Sequence, residues 1–212
     1  MVLLRHTSGL VHKSGYNSVM IIDQQVYNGD LIHDRFAYKF FRKEVSPYGN
    51  IVAFRAPMYV SDNLIDLEDT LANDYIYSED AINFCWEIPN LCPLGAVSFQ
   101  RLFNTTIAGM LGQLIQKPIN MDGDDIMVTD EFHGSDNKKR SEGKVSVSIT
   151  YSKENIALGH TGINVNAGKK APGFAYSSNM SDSQVKAFME AVVKAFELEV
   201  KDQWIATTKI IS

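Results

Sequence analysis

Several short stretches hold residue types that could do chemistry. "HDRFAYKFFRK" (33–43) interleaves Arg35, Lys39, Arg42 and Lys43 with four aromatic residues. Such a mix can stack on bases or hold phosphate. A half-buried strand with basic residues facing outward has the same pattern. Arg55 ends an apolar run directly before Ala56–Pro57, and an arginine at a strand end can clamp an anion in a cleft. "IDLEDT" (65–70) gathers Asp66, Glu68 and Asp69. These read either as the solvated start of a helix or as a carboxylate site for a cation or a ligand amine. "MDGDDIMV" (121–128) turns at Gly123 and leaves Asp124 and Asp125 at the mouth of a strand, where turn chemistry alone also accounts for them. Lys144 follows Gly143 at the head of a serine-alternating segment, a position that surface lysines often take. "GHTGINVNAG" (159–168) puts Asn164 and Asn166 into a strand-like alternation. Asn is depleted in strands, so the two amides face water, cap a turn or face a ligand.

These residues need elements to position them. "SVMIIDQQVY" (18–27) followed by Asn28–Gly29 predicts a strand over 20–27, a tight turn and a partner strand from Leu31. "NIVAFRAPMYV" (50–60) predicts another strand, stopped at Pro57. Helices are expected over 61–74 and over 78–88, the second with Ser78 as cap and Pro89 just beyond its end. The strongest periodicity lies in 97–117, where Phe99, Leu102, Phe103, Thr106, Ile107, Met110, Leu111, Leu114 and Ile115 mark one helical face and Pro118 ends it. Strands follow at 125–130, 143–151 and 154–166, with the charged segment 131–143 read as a loop. In the last strand Gly162, Asn164 and Asn166 share a face, and Gly162 would let a ligand or a neighbouring strand approach. The capping box of Ser181 and Gln184 opens a final helix over 181–204, its buried stripe being Val185, Phe188, Met189, Val192 and Phe196. The class is α+β, a mostly antiparallel mixed sheet with helices packed on it. No linker is visible, so residues 1–212 read as one domain.

The 212-residue chain is 45% hydrophobic with a formal net charge of −5. That charge disfavours non-specific binding of polyphosphate, so nucleic acid is not indicated as a partner. The opening apolar run is short for a signal peptide, and no stretch reaches the roughly 20 apolar residues of a membrane span. A cytoplasmic location is the expectation. The spacing of Cys85 and Cys92 fits neither a redox pair nor a zinc site. The five histidines have no ligand spacing, so no metal is expected. Phosphate-loop, dinucleotide-fold, nucleophile-elbow and zincin motifs are absent.

Three pieces in order, "GDDIMV", "GKVSVSI" and "GHTGINVN", preceded by the 97–117 helix, resemble the catalytic core of biotin and lipoate protein ligases. There a Pro-Asn-Asp-Ile/Leu strand start precedes a Gly-Lys-Val/Ile-x-Gly strand and a Gly-Ile-Gly-Ile-Asn-x-Asn strand. A closer resemblance, over about 17–176, is to the domain of unknown function 366 family. It is carried by "NGD" with "IHDRFAY", "VAFRAPMYV", "DLEDTL", "LFNTTIAGMLGQL", "GDDIMV", "KVSVSIT" and "GINVN" followed by "PG". That family is similar in fold to the biotin–lipoate ligases, themselves akin to the core of class II aminoacyl-tRNA synthetases.

The ligase resemblance implies roles. Lys144 falls on the lysine that contacts the acyl-adenylate, where a fixed ammonium stabilises charge developing at carbonyl and phosphate. Asp125 falls on the aspartate beside the nucleotide, with Asp124 in the place of the asparagine. ATP is the candidate cofactor by resemblance, with Arg35 and Arg55 as cations for its phosphates. The sequence also departs from the pattern. The arginine- and glycine-rich adenylate loops of both ligase types are missing, Val147 replaces the glycine after the lysine, and Met121–Gly123 replaces Lys-Trp-Pro. The implied activity is therefore of a class: a small-molecule-binding protein that activates or transfers a small carboxylic acid. Its cleft would gather Arg35, Arg55, Glu68, Asp69, Asp124, Asp125, Lys144 and Asn164, with Asn166 as a further ligand or loop anchor. The alternative is a non-catalytic binder or accessory protein that kept the cleft and lost the loops. A nucleic-acid partner rests on analogy with the synthetase core alone.

Overall fold

Strands buried on both faces lose the two-residue alternation that identifies a strand, and this property governs the centre of the protein. The computed structural model describes residues 17–21, 26–41, 46–61, 64, 66–72 and 74–209, without the side chains of 17–21, 68, 69 and 72. Strand β1 (Asn17–Ile21) lies parallel to β2 (Asn50–Val60). β3 (Ile76–Pro89), β8 (Ile156–Asn166) and β7 (Ser146–Lys153) extend the sheet antiparallel in the order β1-β2-β3-β8-β7. A second antiparallel sheet holds β4 (Ile119–Asp122), β5 (Asp125–His133) and β6 (Lys139–Lys144). The α+β class and the mostly antiparallel mixed sheet are as expected.

Helices α4 (Pro93–Ile115) and α5 (Asp182–Thr207) cover one face of the large sheet. Phe99, Phe103, Ile107 and Leu111 of α4, with Phe188, Val192 and Phe196 of α5, meet Ile51, Ala53, Ile82, Phe84 and Trp86 there. The other face carries the short helices α1 (Asp30–His33) and α2 (Phe36–Phe41), whose Ala37 and Phe41 join the cluster of Val52, Phe54, Met58 and Cys85. Among the described residues no helix is long and apolar enough to cross a membrane.

Four expectations are corrected. Residues 78–88 are strand, not helix: burial on both faces makes Ala81–Ile88 a continuous buried run, and Ser78 Oγ donates to the carbonyls of Asp80 and Asn166 instead of capping a helix. The Asn28–Gly29 turn does not return as a hairpin. Tyr27 continues along the same edge of β2 as β1, donating its N–H to Pro57 O and accepting from Tyr59 N. Gly29, at φ +83°, then turns the chain into α1, so Leu31 is helical. The 131–143 loop is the β5–β6 hairpin, hidden in the sequence because its strand residues are mostly exposed and charged, as in the Lys139–Glu131 pair at 2.8 Å. The 143–151 strand is broken at Val145. There the chain steps from the small sheet to the large one, with Val145 N donating to Ile126 O and Val145 O accepting from Asn164 N. Two elements are also adjusted. The expected 61–74 helix is the six-residue α3 (Leu67–Ala72). The α4 stripe is rotated, leaving Leu102 exposed and burying Gln100 and Asn104. The strand does not stop at Pro57: β2 runs on to Val60 past a bulge that absorbs the missing N–H. The α5 capping box forms as expected.

Candidate functional site

The step at Val145 sets up a cleft of about 370 Å³ where the two sheets meet. Its lining includes Asp124 from the β4–β5 turn, Asp125 from the start of β5, Lys144 from the end of β6, and Ser146 and Ser148 from β7. His160 and Asn164 come from β8, and Asp66 and Asp74 from either side of α3. Lys144 is pinned by its backbone, with N donating to Phe174 O at 2.9 Å and O accepting from Tyr176 N at 2.8 Å. Its ammonium meets Asp125 Oδ1 at 2.7 Å, both side chains being about one-third exposed (29% and 31%).

Burial pushes the Asp125 carboxyl above its ordinary value. Lys144 opposes that shift, and the charges of Asp124 and Asp122 add to it. A carboxyl whose pKa is raised on folding contributes most stability below its unfolded pKa, and that contribution is lost as pH rises through the folded one. Asp125→Asn, which cannot titrate, should therefore gain Tm relative to the parent as pH rises from 4 to 7. A melting series over that range checks this, and a difference that shrinks toward pH 7 would contradict it.

Asp124 is held from behind by a buried polar relay. Ser148 Oγ donates to Asp124 Oδ2 at 2.7 Å and accepts from Gln100 Nε2 and Asn104 Nδ2, each at 2.9 Å. Gln100 also donates to Asp124 Oδ2, Asn104 Nδ2 donates to Asp124 O, and Thr161 Oγ1 donates to Asn104 Oδ1. Sequence reasoning missed these residues. The available signal was two amides four residues apart, Gln100 and Asn104, one position beyond the apolar residues Phe99 and Phe103.

His160 is 1% exposed and stacks on Tyr27 with ring centroids 3.6 Å apart. Asn83 spends its amide hydrogens on the carbonyls of Ala56 and Ala81, so its Oδ1 accepts and His160 Nε2 must donate across their 2.9 Å contact. Burial lowers the His160 pKa to about 3. The ring is therefore neutral, with Nδ1 as an acceptor that has no partner among the described residues.

The sequence-derived set divides. Asp124, Asp125, Lys144 and Asn164 line one cleft. Arg55 does not, because Ile51, Ala53 and Arg55 share the face of β2 that meets α4 and α5; its guanidinium pairs with Asp80 and Asp182, both at 2.6 Å. Arg35 lies outside too, bound to buried Glu87 at 2.9 Å and stacked over Tyr38. Asn166 is exposed and its Oδ1 accepts from Gly168 N, a turn cap. Gly162 makes room for Met58, which a Cβ there would strike, and not for a ligand. Glu68 and Asp69 lie on α3 with side chains outside the described residues. Cys85 is buried, Cys92 is exposed, and both are free thiols.

The fold is that of the biotin and lipoate protein ligases. A bipartite lipoate protein ligase from Thermoplasma acidophilum superposes with TM-score 0.52 at 10% identity, over 85% of this chain and 82% of that one. A biotin protein ligase variant from Aquifex aeolicus in complex with biotin gives 0.52 at 14%, over 88% and 72%. The chain belongs to the family described as domain of unknown function (DUF366), whose model matches residues 17–211. A protein of unknown function from Pyrococcus horikoshi has TM-score 0.76 at 22% identity, over 93% of this chain and 98% of that one. No curated protein matches the sequence.

Proposed function

We propose that the protein binds a small carboxylic acid in this cleft, with Lys144 receiving the carboxylate, and that it activates or transfers the acyl group as a ligase or transferase. The observation that carries the reading is the Lys144–Asp125 pair, accessible and backbone-pinned at the junction of the two sheets. An incoming carboxylate can replace Asp125 as partner of the ammonium, and the neighbouring burial makes that charge–charge contact stronger than it would be in water. Activation with ATP, the co-substrate the ligase resemblance suggests, would join the carboxylate oxygen to the α-phosphorus and release pyrophosphate. Transfer would then form a bond from an acceptor nucleophile to the acyl carbonyl and break the acyl–oxygen bond, with AMP as the leaving group.

A second reading, a binder without turnover, has its own support. Arg35 and Arg55 are engaged elsewhere, and the described lining contains four aspartates but no arginine. That lining suits a triphosphate poorly.

Lys144→Ala tests the first reading. A charged hydrogen bond is worth about 1.5–3 kcal/mol, so affinity for the acid should fall roughly tenfold to a hundredfold. Turnover should vanish while Tm stays within a few degrees, the pair being partly exposed. Calorimetry and thermal shift over a panel of small acids, with and without magnesium ATP, provide the readouts. Unchanged affinity in the variant overturns the assignment of Lys144, and acid binding with no ATP-dependent product supports the binder.

A further inference from the structure

We propose that the small molecule carries a cationic amine as well as its carboxylate, so that the cleft takes an amino-acid-like zwitterion. This rests on the reading that Lys144 receives the carboxylate. The inference comes from the imbalance of donors and acceptors in the lining.

Among the described lining residues there are four carboxylates, of which Asp66 is already engaged, against one ammonium, so a ligand bringing only a carboxylate adds negative charge beside Asp74, Asp124 and Asp125. Two buried side chains add acceptors. Among the described residues Asn164 Oδ1 has no partner, in a residue 2% exposed, and His160 Nδ1 has none, in a residue 1% exposed. The tautomer of His160 is fixed by Asn83, so this nitrogen can only accept. Buried acceptors left unpaired are costly and uncommon, and here both belong to a cleft wall. The hydroxyl of Ser148 is already spent on Asp124. What complements such a surface is a group made of donors with positive charge, and an ammonium offers three N–H bonds. Among the described residues no three His, Cys, Asp or Glu side chains lie close enough to share a metal ion.

The test is isothermal calorimetry at pH 7 with the full chain. The probes are straight-chain acids of three to six carbons, their α-amino and ω-amino derivatives, and the matching alkylamines. At one chain length the amino acid should bind at least tenfold more tightly than both its des-amino acid and its des-carboxy amine. Asn164→Leu should lower the affinity for the amino acid at least tenfold more than it lowers that for the des-amino acid. Equal binding of acid and amino acid overturns the amine and leaves the carboxylate reading standing. An alkylamine that binds as tightly as the amino acid overturns both, as does the absence of binding by every acid and amino acid. The wild-type series decides the question even if the Asn164 variant does not fold.

Discussion

Asn104→Ala should lower the free energy of unfolding by roughly 3 kcal/mol, measured by urea denaturation at pH 7. Asn104 is fully buried and makes three hydrogen bonds, to Asp124 O, Ser148 Oγ and Thr161 Oγ1. Truncation leaves the Thr161 hydroxyl, itself fully buried, without its acceptor, and leaves the Asp124 carbonyl without its donor. Each orphaned group costs on the order of 1–3 kcal/mol, against total stabilities of about 5–15 kcal/mol. The control follows from the asymmetry of buried hydrogen bonds. Asn104→Leu combined with Thr161→Val removes two partners together and replaces them with apolar groups of similar shape, so it should cost less than the alanine change. A loss under about 1 kcal/mol for Asn104→Ala would show that the relay contributes little to stability. The same variant reports on the cleft. Asp124 is held by Gln100, Asn104 and Ser148, so loosening the relay should weaken ligand binding although Asn104 does not line the cleft.

What could be read in the sequence follows from which surfaces each segment buries. α5 and most of α4 were legible because each buries one stripe and exposes the rest, which is the condition for a helical period. β2 was legible as an apolar run of strand length. β3 was not, because both its faces are buried and its ends carry Ser78 and Pro89, which mimic helix punctuation. The β5–β6 hairpin failed for the opposite reason, its strand residues being mostly exposed. For the cleft, the order of "GDDIMV", "GKVSVSI" and "GINVN" brought together Asp124, Asp125, Lys144 and Asn164, because each piece is a strand start or end converging on the step at Val145. Arg35 and Arg55 were misplaced because a charge has no visible facing without its partner. Asp80 and Glu87, which hold them, lie on β3, the segment read as helix. An error in one element thus propagated into the site.

Gly159→Val should prevent the protein from folding, and even Gly159→Ala should cost at least about 3 kcal/mol, the upper end of what overpacking a core costs. Gly159 lies opposite Trp86 in the β3–β8 ladder, and a Cβ added there would overlap the Cζ2 and Cε2 atoms of the indole. Ring atoms cannot swing aside as the tip of a flexible side chain can. Trp86 is 1% exposed and packed edge-on against Phe99, with centroids 5.0 Å apart, and against Phe103 at 6.5 Å. The β8 backbone cannot retreat either, since Gly159 is also paired with Thr150 of β7. The conflict should appear as insoluble expression for valine and a lowered urea midpoint for alanine. Trp86→Leu introduced with Gly159→Ala should recover part of the alanine loss, because the branched chain is smaller than the indole; a soluble Gly159→Ala variant as stable as the parent would refute the packing argument. The same indole explains why glycine is needed in a strand whose following inward residues, Thr161, Ile163 and Val165, are β-branched. On this face of β8 the absent side chain is the space that Trp86 fills.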